Sequence, residues 1–375
     1  MDNIRMVDLN TQYNKIKTEI DQAMQDVIQS SAFINGPHVK SFQENLAKYL
    51  NAKHVIPCAN GTDALQIALM AMELKPGAEV ITPDFTFIST VEVIKLLGLK
   101  PVLVDVDENT FNISPEGVRD AVTQNTGAIV PVHLFGQCAD MHEIMNVSEE
   151  KNIPVIEDVA QATGSDFYSG NSTIKAGLIG DIGCTSFFPS KNLGCYGDGG
   201  ALYTNDEELA QRIKAIGNHG SNKKYYHHRV GVNSRLDTIQ AAILDVKLTY
   251  LDDYNKSRQW AANFYDNELA DVQQIRLPMR NKYSTHIFHQ YTVVLNENVD
   301  RDDFKEYLNQ KGVPSMVYYP VPIHMQKAFK DLGHKKGDFP ISEKLSESVL
   351  SLPMHTELKE EQLEKITETI KSYFK

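Results

Sequence analysis

Cysteine is scarce in this chain, with four residues in 375, and Cys58, Cys138, Cys184 and Cys195 never fall into a Cys-x-x-Cys pair. That excludes a zinc ribbon or a stapled secreted framework and leads to an expectation of reduced thiols in a cytoplasmic protein. Positive charge is also in short supply. With 37 Lys and Arg against 49 Asp and Glu, the formal net charge of -12 speaks against a general binder of nucleic acid or anionic membrane. A single anionic small molecule held by local donors stays possible. Long hydrophobic runs are missing too. The most apolar window, "VEVIKLLGLKPVLVDV", is broken by Lys95 and Lys100 and falls short of a membrane span. The opening "MDNIRMVDLN" lacks the apolar stretch of a signal peptide. No internal repeat and no low-complexity tract are visible.

What is present is an alternation. Strand-like runs "HVIPCA", "EVITP", "PVLVDV", "GAIVPVHLF", "IPVIEDVA", "CTSFF" and "GALYTN" are separated by helical patterns near 63–74, 86–98, 115–123, 139–152 and 206–216. An amphipathic helix over roughly 13–30 precedes them. Ser114-Pro115 reads as a helix start, serine capping and proline in the first turn. Near-continuous apolar strands between helices predict a mostly parallel sheet covered on both faces. Beyond about 235 the pattern becomes a long helix towards Leu269, a strand "FHQYTVVL", a helix "RDDFKEYLNQ", a strand "PSMVYYP" and a last helix. The expected architecture is α/β, with a large domain over 1–250 and a smaller α+β domain over 251–375.

In such a sheet ligands sit outside the carboxyl ends of the strands. After "HVIPC" comes "ANGTDAL", whose Gly61, Thr62 and Asp63 open a helix. Amides and dipole there suit a phosphate, although taken alone the residues are explained more simply by Thr62 or Asp63 acting as a plain cap. Asp158 ends an apolar strand, where a carboxylate wants a cation or a capping role, and Gln161 follows three residues on. In "SFFPSKNLGCYGDGGA" a proline stops the strand before Lys191, and four glycines follow. The spacing is not that of a dinucleotide loop, and the stretch leads into a strand. A phosphate cradle, a strand-end carboxylate and a lysine together match what pyridoxal phosphate needs.

"NGTDAL", "PDFTF", "EDVAQATG", "SFFPSKNLGCYGDGGA" and "VGVNSRLDTIQAAIL" resemble the DegT/DnrJ/EryC1/StrS sugar aminotransferases, which share the aspartate aminotransferase-like fold (fold type I of pyridoxal phosphate enzymes). The likeness runs from about Asp8 to Leu358. It implies that Lys191 is the Schiff-base lysine and proton shuttle. It makes Asp158 the partner of the pyridine nitrogen, Gln161 the donor to the ring hydroxyl and Phe87 the residue stacked on the ring. Thr62, Asp63 and Ser186 would hold the phosphate beside Gly61, and Asn233 would reach in from a second subunit of a homodimer. The lysine stretch is nearer to enzymes aminating 3-keto nucleotide sugars, with L-glutamate as the family's habitual donor. His219, Arg235 and Tyr318 would meet the sugar.

A 3-keto uronate on UDP is the expected substrate. A dTDP-3-keto-6-deoxyhexose remains an alternative, because Tyr318 stands where uronate enzymes carry a histidine, and a 4-keto sugar is a further one. Arg235 is the candidate carboxylate partner unless it pairs with Asp237 or Asp245. His227-His228 and the pair His286 and His289 lack further ligands at metal spacing, so no metal is expected. A non-enzymatic sensor or a dehydratase on the same fold would have less use for an intact Lys191.

Overall fold

The computed structural model describes residues 3–375. Its large sheet has seven strands: β1 (His54–Cys58), β2 (Glu79–Pro83), β3 (Lys100–Val104), β4 (Thr126–Ile129), β5 (Ile156–Asp158), β6 (Ile182–Ser186) and β7 (Gly200–Thr204). They lie in the order β3-β2-β4-β5-β6-β7-β1, with β4 joined to β5 by the parallel bridges Ile129↔Val155 and Val132↔Asp158. All run parallel except β7, which is antiparallel to both neighbours.

That one reversal positions the site. The loop from Phe187 to Gly199 leaves the carboxyl end of β6 and enters the amino end of β7. Both ends lie at the same edge, where Gly200 pairs with Ser186 on one side and Cys58 on the other. Lys191 is therefore kept at the carboxyl edge of β1, β2 and β5. Phe187 anchors the loop in the core, buried edge-on against Phe42 at 5.4 Å, while Phe188 points outward.

Helices cover both faces, so β2 and β7 are buried along their whole length. Their starts are capped as side-chain chemistry dictates: Ser114, Asp140 and Asp206 accept from Gly117, Glu143 and Leu209 N–H groups. The helix expected over 13–30 is two, Leu9–Lys15 and Lys17–Ser30, parted at Ile16. A helix at Pro37–Leu50, absent from the sequence reading, buries Phe42, Leu46 and Leu50. The long helix towards Leu269 is likewise two, Thr238–Leu248 and Leu251–Leu269.

In the C-terminal part β8 (Ile275–Arg276), β9 (Tyr291–Leu295) and β10 (Val349–Leu352) form an antiparallel sheet. Tyr265, Tyr291, Phe304 and Leu363 lie in its core, which Ile4 joins from the other end of the chain. "PSMVYYP" was expected to be a strand and is not one. Only Met316 bridges, to Ser351, because β10 takes the place beside β9 and prolines bracket the stretch. The chain turns away instead, and Tyr318 and Tyr319 line a cavity.

Candidate active site

The cavity lies at the carboxyl edge of the sheet and holds about 650 Å³. Gly61, Thr62, Phe87, Asp158, Gln161, Ser186, Lys191 and Tyr318, each singled out from sequence, line it. Asp63, His219, Asn233 and Arg235 do not. Asp63 turns away on the first helical turn, and its N–H is taken by Asn60 Oδ1 at 2.8 Å. Asn60 is the helix cap, not Thr62 or Asp63. Gly61 and Thr62 donate their N–H groups to no protein acceptor among the described residues, which leaves two amides and the helix dipole for an anion. Gly61 cannot be larger, since a Cβ there would come within 2.6 Å of Ser186 Cβ.

Strand alternation separates two adjacent buried carboxylates at the end of β5. Glu157 accepts from the N–H groups of Gly177, Ile179 and Gly180 and lies 2.8 Å from His133 Nε2. The protein meets its needs completely. Asp158 points the other way and among the described residues accepts only from Thr90 Oγ1 at 2.8 Å and Ala160 N–H at 3.1 Å. A carboxylate has room for about four donors, so capacity is left facing the cavity. Burial raises the Asp158 pKa, while those two donors and the charge of Lys191 work against the rise.

Lys191 is half-buried, and its ammonium has no hydrogen-bond or ion-pair partner among the described residues. Burial pushes its pKa down to about 8, with Asp158 opposing. A desolvated amine is a better nucleophile. The glycines that follow do not serve left-handed turns. None of Gly194, Gly197, Gly199 and Gly200 has a positive φ. They give room: a Cβ on Gly194 would lie 2.4 Å from Pro189 O, and one on Gly200 would lie 2.4 Å from Asn60 O. The lysine loop is thereby pressed against the phosphate-type cradle.

Sequence reasoning missed several neighbours. Gln161 accepts from Phe135 N–H at 2.9 Å and donates Nε2–H to the Tyr319 hydroxyl at 3.0 Å. Tyr319 in turn lies 6.2 Å from the Phe87 ring. His289 lines the cavity, its pKa held well below the usual imidazole value by burial and by the charges of Lys191 and Arg258. Only Asn60 carried a local signal, as a capping residue before a helix.

The family pattern described as the DegT/DnrJ/EryC1/StrS aminotransferase family matches residues 14–371. The chain belongs to that family. It is 46% identical over 375 residues to a protein of Geobacillus stearothermophilus named pleiotropic regulatory protein, covering 100% of this chain and 99% of that one. It is 45% identical to the UDP-2-acetamido-2-deoxy-3-oxo-D-glucuronate aminotransferase of Pseudomonas aeruginosa, covering 94% of this chain and 95% of that one. Among solved structures, Streptomyces venezuelae DesV with a ketimine intermediate superposes with a TM-score of 0.95 at 34% identity, covering 100% and 99% of the two chains. NtdA of Bacillus subtilis, bound to the cofactor PMP, gives 0.88 at 33% identity over 96% and 82%. The aminotransferase is thus a transferase with the fold expected of it, and pyridoxal 5'-phosphate is its cofactor.

Among the described residues of this aminotransferase, no helix is long and apolar enough to cross a membrane. Arg235 makes no ion pair with Asp237 or Asp245 among them, and Asp245 is taken by Ser41 and Asn45. His219 and Asn233 are exposed.

Proposed function

We propose that the aminotransferase converts a nucleotide-linked 3-keto sugar to its 3-amino sugar, with L-glutamate as the amino donor. A 3-keto uronate carried on UDP is the preferred acceptor. The observation that carries the reading is the contrast at the end of β5: Glu157 is saturated by protein donors, while Asp158 keeps acceptor capacity towards a cavity that also holds an unpartnered Lys191.

The cavity suits the cofactor. Asp158 would face its pyridine nitrogen, Gly61 and Thr62 N–H groups and Ser186 would hold its phosphate, Phe87 would cover the ring and Gln161 would meet the ring hydroxyl. Asp63 adds its charge no closer than the first helical turn. When bound, that group supplies an electron sink for negative charge at the carbon that loses a proton. Lys191 is the amine that carries it and moves that proton. Asp158, ionised, keeps the opposite end of the sink electron-poor.

His219, Asn233 and Arg235 act in a second copy's cavity, which makes the functional unit a homodimer with shared sites. The exposure of His219 and Asn233, and the absence of all three from the lining of their own chain's cavity, support that assignment. Arg235, with no ion pair among the described residues, is the partner for a uronate carboxylate. Tyr318 favours a second reading. Burial raises its pKa, so it is a neutral donor that serves a hydroxyl as well as a carboxylate, and a neutral 3-keto hexose becomes the alternative acceptor. A panel of 3-keto and 4-keto nucleotide sugars assayed with L-glutamate tests both. Turnover of 4-keto sugars alone, or of none, overturns the proposal.

A further inference from the structure

The cavity wall Val317–Pro320 has no strand neighbour beyond the bridge at Met316, yet it presents Tyr318 and Tyr319. It is fixed from below. The Ile323 N–H donates to Asp84 O at 3.1 Å. The His324 N–H donates to Asp84 Oδ1 at 2.7 Å, and His324 Nδ1 lies 2.7 Å from Asp84 Oδ2. The other ring nitrogen, Nε2, lies 3.1 Å from Glu343 Oε1, which also accepts from Gly337 N–H. Asp84 and His324 are both buried.

Each end of this chain of bonds is rigid. Asp84 directly follows β2 and donates its own N–H to Val104 O at the end of β3. Glu343 sits on the helix Pro340–Ser348, whose Ile341 and Ser342 N–H groups donate to Asp105. Three residues past Asp84, Phe87 lines the cavity, and Phe85 packs edge-on to Tyr319 at 6.0 Å. A buried carboxylate–imidazole–carboxylate row is a poor choice for stability alone, because apolar side chains would fill the space without the desolvation cost. What directional bonds add is position.

We infer that His324 is a positioning residue for the acceptor side of the reaction. By its Nδ1 bond to Asp84 it fixes the Val317–Pro320 wall against the Phe85–Phe87 segment, and so sets how well the nucleotide sugar is held. The inference rests on the nucleotide-sugar reading above for its substrate, but not for its structural half.

The test uses the holoenzyme and two variants. The backbone bonds to Asp84 persist in both; of the two ring bonds, His324→Asn can replace Nδ1 and keep the one to Asp84, and His324→Gln can replace Nε2 and keep the one to Glu343. Amide hydrogen exchange in peptides covering 314–326 should quicken by about tenfold or more in His324→Gln and stay near the unmodified rate in His324→Asn. KM for the accepted nucleotide sugar should rise by about tenfold or more in His324→Gln alone. The rate at which L-glutamate changes the cofactor's absorbance should stay within about twofold in both variants.

Unchanged exchange in His324→Gln overturns the inference. So does a parallel loss of both half-reactions, which marks a general loss of fold, or equal behaviour of the two variants. Failure of the unmodified enzyme to aminate any 3-keto nucleotide sugar strikes the functional reading instead, and the exchange comparison still decides the role of His324.

Discussion

Lys191 offers a titration that can be worked through. Its pKa is pushed from 10.5 down to about 8 by burial. At pH 7 a lysine at 10.5 is free amine in about one molecule in 3,000, and one at about 8 in about one in ten, a gain of about 300-fold. Mixing cofactor-free enzyme with pyridoxal phosphate and following the visible absorbance should give an attachment rate that climbs with pH and levels off above about 8. Asp158 is the one charge that opposes the depression, so Asp158→Asn should move the midpoint lower. The same shift has a stability sign. Between about 8 and 10.5 the unfolded chain holds the extra proton, so stability should rise with pH across that window. The full effect is about 3 kcal/mol, visible as a higher denaturation midpoint that Lys191→Met removes. A midpoint near 10, or one that Asp158→Asn moves upward, refutes the account of a desolvated lysine.

Four further outcomes follow from the geometry. Asp158→Asn should fold and still bind cofactor yet lose transamination by about three powers of ten or more, since members of a catalytic unit fail together; near-normal turnover contradicts the role of Asp158. Gly61→Ala should weaken cofactor binding by about tenfold or more, because its Cβ would fall 2.6 Å from Ser186 Cβ, and equilibrium dialysis against pyridoxal phosphate reads it. Mixing inactive Lys191→Ala and Asn233→Ala chains should restore part of the activity if sites are shared, whereas mixed dimers as dead as their parents show that Asn233 serves its own chain. Arg235→Lys should lose about 30-fold or more on a 3-keto uronate and far less on a neutral 3-keto hexose, and equal losses on both place Arg235 away from the carboxylate.

Much of the site was legible in the sequence because its signals are local. A proline and a change of composition stop β6 before Lys191, an apolar run ends on Asp158, and a small-residue turn opens a helix at Gly61. Each is a statement about one strand end, and periodicity locates strand ends. The same locality explains the errors. Asn60 rather than Thr62 or Asp63 caps the helix, and "PSMVYYP" is not a strand, while β10 pairs with β9, because pairing partners are chosen by what else competes for the same edge.

Tertiary structure alone decided the rest. That β7 runs against its neighbours, and so returns the lysine loop to the cavity edge, is a property of strand order and not of any residue in the loop. The four glycines were conspicuous in sequence, but the reason for Gly194 and Gly200 is the nearness of the Pro189 and Asn60 carbonyls. His289 and Tyr319 reach the cavity, and Thr90 reaches Asp158, from segments far apart along the chain. Asp84 and His324 meet across 240 residues. Spacing along a chain encodes which face a side chain takes, and only the closed fold determines which faces meet.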